Sequence, residues 1–237
     1  MDASPSLFIG IDPSAGRRAI SYAALDADMR VYALGSGGFE EVLDYVGEQG
    51  QAIVGLNAPR RPSLGLVEGA ETRVVEQQLR ERDITVPFTA SEETSCKPWM
   101  RRGFALYHRL ERLGYQPYPD AEAGKQYLEV SPLACYHAWL GKCPFPKRSL
   151  EGRLQRQLLL CDLGLNLPDP MRFFEEITKH RLLKGILPDE ALYSPEELEA
   201  FVIAYTARLA ALSPGRIELI GEVEEGQIAV PVELMGS

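Results

Sequence analysis

The chain has no CxxC pair. Its four cysteines, Cys96, Cys135, Cys143 and Cys161, are scattered and accompanied by only three histidines, a pattern that supports neither a zinc knuckle nor a disulfide framework. Scattered thiols fit a reducing compartment, so the expected location is cytoplasmic. Positive charge is also scarce: 25 lysines and arginines stand against 34 acids, for a net charge of −9. That balance disfavours coating nucleic acid through a broad basic face and leaves only local basic patches for such a partner. No apolar run reaches the roughly 18 residues of a membrane span, so no membrane partner is expected. The N-terminus passes from polar residues straight into an apolar segment, so no targeting segment is expected. What is plentiful is apolar material. Of 237 residues, 45% are hydrophobic, enough for a sizeable core in one large domain.

That apolar material comes in short runs closed by polar residues. Leu7, Phe8, Ile9 and Ile11 read as a buried strand ending in Asp12, Pro13-Ser14-Ala15-Gly16 is turn chemistry, and Ala19 to Leu25 reads as the returning strand. A lone carboxylate at the end of a central strand is costly to bury unless it binds a cation or a hydrogen-bond partner. Arg30 to Leu34 adds a third strand, making an antiparallel meander. Phe39, Val42, Leu43 and Val46 have the spacing of one helical face. Gln51 to Asn57 is a second short run with a polar end, closed by Ala58-Pro59, and is expected to lie parallel to the first strand. Gln126 to Val130 is a third, carrying Glu129. Helices are expected over Glu71–Arg82, Trp99–Leu113, Leu133–Leu140, Leu150–Leu163, Met171–Leu183 and Ser194–Leu212, with a closing strand pair at Ile217–Ile220 and Gln227–Val230. Arg73, Glu76 and Arg80 have the spacing of surface ion pairs. Trp99 is expected in the core.

The helix after Ser194 has a strong start signal: Ser at the cap, Pro195 at the first position, and Glu197 placed for a capping box. Farther along, Glu199 falls in an apolar arc between Val202 and Ile203. A carboxylate there either pairs with a buried cation or belongs to a site.

GIDPSAGR at 10–17, VGLNAPRRP at 54–62, WMRRGFALY at 99–107, LEVSP at 128–132, KRSLEGRLQR at 147–156 and EAFVIAYTA at 199–207 follow one another along nearly the whole chain. Taken in this order they resemble the signature blocks of the domain of unknown function 429 family. The resemblance implies a ribonuclease H-like α/β fold, in which a mixed sheet of a three-strand antiparallel meander plus parallel strands is flanked by helices. It also implies one domain over 1–237, with helical insertions around 62–125 and 133–193 and a helical C-terminal half. The family is regarded as a predicted nuclease. In nucleases of this architecture, acids gather around two Mg2+ or Mn2+ ions roughly 3.5–4 Å apart.

On that resemblance Asp12, Asn57, Glu129 and Glu199 take the catalytic positions, and Asp12, Glu129, Glu199 and Glu196 those of metal ligands. Glu129 matches a block in which relatives carry His where this chain has Ser131. Glu196 and Glu199 fall where relatives carry an Asp pair. Position 57 departs most: relatives read IDAP, this chain reads LNAP, and a neutral amide replaces an anionic ligand. Arg60, Arg17, Lys147 and Arg153 are the candidate substrate cations, since arginine's fork suits phosphate. Three function classes follow: a metal-dependent nuclease or phosphodiesterase, a non-catalytic binding protein of the same fold, and a nucleotide-binding protein of the actin and sugar-kinase kind. The third fits least, because the chain has one copy of the fold and reads Pro-Ser-Ala-Gly-Arg after Asp12.

Overall fold

The structure is a computed structural model that describes residues 7–14 and 19–232. The first six residues of sheet, β1 (Leu7–Asp12), are all buried, and β2 (Ile20–Leu25) and β3 (Val31–Gly37) follow it as an antiparallel meander. After α1 (Phe39–Gly47) the chain returns as β4 (Ala52–Leu56), parallel to β1 and in register from Leu7↔Ala52 to Ile11↔Leu56. Next come α2 (Val74–Glu81), α3 (Pro98–Arg112), the two-residue β5 (Gln116–Pro117) and β6 (Lys125–Val130), which is parallel to β4. The second half supplies α4 (Pro132–Leu140), α5 (Leu150–Asp162), α6 (Arg172–Glu175), α7 (Lys179–Leu183) and α8 (Pro195–Leu212). Strands β7 (Ile217–Ile220) and β8 (Ile228–Pro231) close the sheet in the order β3-β2-β1-β4-β6-β8-β7, with β5 beside β6. The mixed sheet flanked by helices matches the expected fold class.

Two helical layers cover the sheet. Leu7, Ile9, Ile11, Val54, Leu56 and Tyr127 pack with α1 and α3, whereas Phe8, Ile53, Leu128 and Val130 pack with α8. Because side chains alternate along a strand, the row Ile11–Leu56–Glu129 faces the α1/α3 layer. Asp12, one residue on, faces α8.

Helix α8 crosses β1 with almost no space between the backbones. A Cβ on Gly10 would lie 2.1 Å from the Ala200 carbonyl oxygen and 2.5 Å from the Ala204 nitrogen, and one on Gly55 would lie 2.5 Å from Ile203 Cγ2. The missing side chains let the helix settle onto the strand.

Two expected elements differ from what is observed. The helix expected from Glu71 starts at Val74. The helix expected over Met171–Leu183 is two short helices, because Thr178 caps a new start by accepting from the Arg181 backbone N–H at 3.2 Å. Arg17 and part of the first turn lie outside the described residues.

Candidate functional site

Asp12 ends β1 fully buried, in a short turn that its own side chain organises. Its Oδ1 accepts from the Ser14 backbone N–H at 3.0 Å, the Ser14 hydroxyl at 2.7 Å and the Asn57 amide Nδ2 at 3.1 Å. Asn57 arrives there because its backbone N–H continues the β1–β4 ladder onto the Ile11 carbonyl at 3.0 Å. The other oxygen, Oδ2, is buried and has no donor. Beside it lies a second carboxyl, Glu199, itself buried on α8. Two ionised carboxylates cannot bond to one another, so that face of Asp12 is satisfied by a proton held on Glu199, by a water or by a cation. Burial first, then the charge of Asp12, pushes the Glu199 carboxyl up to about 7, against the pull of Lys147. Lys147 Nζ donates to Glu199 Oε2 at 2.7 Å.

Glu129 belongs to a different constellation. It stands on the opposite face of the sheet from Asp12, and Arg73 grips it with a two-point fork, Nη1 to Oε2 at 2.9 Å and Nη2 to Oε1 at 2.6 Å. The Arg60 backbone N–H adds a third bond at 3.2 Å. Arg73 also binds Glu76 through Nε at 2.9 Å, and Glu76 accepts from Thr72 and Thr89. The expectation of a surface pair is corrected here: Arg73 and Glu76 are each only 2% exposed. Burial disfavours the Arg73 charge, but Glu129 and Glu76 hold its pKa above the ordinary arginine range. Burial pushes the Glu129 carboxyl up while Arg73 pulls it down. Their short two-point contact is ion-pair geometry, so Glu129 is held as a carboxylate with both oxygens engaged.

A family model described as "Protein of unknown function (DUF429)" matches residues 10–225, a span that contains Asp12, Asn57, Glu129 and Glu199. The chain belongs to this family. No curated protein matches it.

In this DUF429 protein the remaining expected site residues are dispersed. Glu196, one helical turn before Glu199, pairs with the exposed Arg148 at 3.0 Å. Arg60 lies over the Tyr127 ring, 5.4 Å from its centroid, and reaches Glu111 at 3.5 Å. Arg153 donates to the carbonyls of Leu192 and Tyr193, tying α5 to the segment before α8. Lys147 alone of the described candidate cations meets the acid pair. Trp99 is half-buried against Cys96, Met100 and Phe104, and helps line a cavity of about 50 Å³ between Asn57 and Glu129. Among the described residues no group of three or more His, Cys, Asp or Glu side chains is arranged to hold a metal ion. The residues missed from sequence are Ser14, which fixes the Asp12 rotamer, and Arg73, which occupies Glu129. An Asp-x-Ser turn was a legible signal for the first, whereas nothing local distinguishes Arg73 from a surface arginine.

Proposed function

We propose that this protein is a cytoplasmic, divalent-cation-dependent phosphodiester hydrolase acting on nucleic acid, with the ribonuclease H-like plan of three meandering strands followed by parallel ones. The observation that carries the reading is the donorless, buried Oδ2 of Asp12 beside the Glu199 carboxyl. Two carboxylates, one with an unused oxygen, fit a hard cation that prefers oxygen ligands. Glu129 does not fit, since Arg73 and the Arg60 amide take its oxygens. Asp12 and Glu199 would therefore hold magnesium or manganese, which supplies Lewis acidity and activates water when bound. Ser14 and Asn57 orient Asp12 by holding one oxygen, leaving the other without a partner in a carboxyl that lies beside Glu199. Lys147 keeps one Glu199 oxygen occupied.

The test is cleavage of labelled single- and double-stranded DNA and RNA. Cutting is expected with Mg2+ or Mn2+, none in EDTA, and a loss of roughly a hundredfold or more in Asp12→Asn. Cleavage that survives Asp12→Asn, or its absence from the parent in both metals, would reject the reading. The neutral amide at Asn57 and the ion-paired Glu129 favour a second reading, a relative that binds nucleic acid without cutting it. Binding unaffected by Asp12→Asn, with no cleavage, would support that instead.

A further inference from the structure

Two divalent ions need more negative oxygen than this site retains. Glu129 is committed to Arg73 on the other face of the sheet, and Asn57 gives its N–H to Asp12. That leaves Asp12 and Glu199, and Glu199 already touches one positive charge, the Lys147 ammonium at 2.7 Å. Lys147 comes from the stretch between α4 and α5. Its side chain is 35% exposed, so it bridges the buried acid and the solvent from which a substrate would arrive. An ammonium has three N–H donors and no acceptor, so after one bond to Glu199 it can still donate to a phosphate oxygen. The unpartnered Asp12 Oδ2 stays open for a cation.

We infer that the site takes one divalent cation, on Asp12 and Glu199, and that the Lys147 ammonium stands in for the second, giving its charge to the substrate phosphate. With both acids ionised, Asp12, Glu199 and Lys147 carry one net negative charge, which the buried Arg156 guanidinium, also interacting with Glu199, offsets. The substrate half of this inference rests on the hydrolase reading, while the ion count and the lysine's effect on ion affinity do not depend on cleavage.

The experiment is Mn2+ titration, with free ion followed by electron paramagnetic resonance, on the parent, Lys147→Met, Lys147→Arg and Asp12→Asn. Each variant's fold is checked by circular dichroism, and cleavage of a labelled oligonucleotide is assayed in parallel. The parent should bind one ion per chain and Asp12→Asn none. Lys147→Met should bind its one ion roughly tenfold more tightly, because a like charge has been removed. It should also cut roughly a hundredfold more slowly, with partial recovery in Lys147→Arg. Two ions in the parent, or an affinity unchanged or weakened in Lys147→Met, would overturn the inference and leave the hydrolase reading intact. One ion, bound more tightly by Lys147→Met, with no cutting by the parent, would overturn the hydrolase reading and the lysine's substrate role together while sustaining the one-ion count. A parent that binds no ion would overturn both.

Discussion

Glu199 has a pKa of about 7 because it is buried and lies next to Asp12, and the sign of that shift decides how stability follows pH. The folded protein keeps a proton that the unfolded chain releases near the ordinary glutamate value. This contribution is therefore fully present below about pH 4.5 and is lost as pH rises through about 7. Glu199→Gln keeps the shape without the titration. In EDTA, denaturant unfolding of the variant should match the parent near pH 4.5 and exceed it by ~2–3 kcal/mol at pH 8. Parallel pH profiles for the two proteins would refute this account. Asp12 and Glu199 were legible as single residues because a carboxylate at a strand end and another in an apolar arc both violate burial preference. Arg73 and Glu76 were not, since i, i+3 spacing is the same whether the pair meets water or lies under a loop that only the fold brings over it.

Helix α8 carries Glu199 and lies directly on β1, which carries Asp12. The approach depends on Gly10, whose added Cβ would strike backbone atoms of α8 that have no rotamer by which to yield. Gly10→Ala should cost at least ~3 kcal/mol, read as a lowered urea midpoint at unchanged slope. A midpoint within experimental error of the parent would show that the helix can shift freely. Sequence periodicity located this helix and its Ser194–Glu197 capping box, which the structure shows. It could not give register between strands. The alternation that turns Glu129 away from Asp12 follows from pairing Leu56 with Glu129, a long-range fact with no local signal. The break at Thr178 was a local signal, a hydroxyl cap inside an apparently continuous helical pattern.

For the whole molecule, the meander, the parallel return and the closing strand pair were legible because each short apolar run was punctuated by turn residues. The order of the last strands was not, because β8 joins β6 ahead of its sequence neighbour β7. One sheet spans both halves, and α8 packs across β1, β2, β4 and β8, so unfolding should be a single transition. The chain's two tryptophans report on separate regions, Trp99 in the small cluster by α3 and Trp139 edge-on to Tyr205 in the main core. Far-ultraviolet circular dichroism and the fluorescence of single-tryptophan variants, Trp99→Phe and Trp139→Phe, should give coincident melting curves. Separated midpoints would divide the chain into independent units. The direct seating of α8 on Gly10 also makes the pair of carboxylates a calliper whose two arms spring from backbones in contact. For the cation proposed above, a change at Gly10 would alter the gap between the two acids, and with it the ionic radius that fits, without altering either proposed ligand.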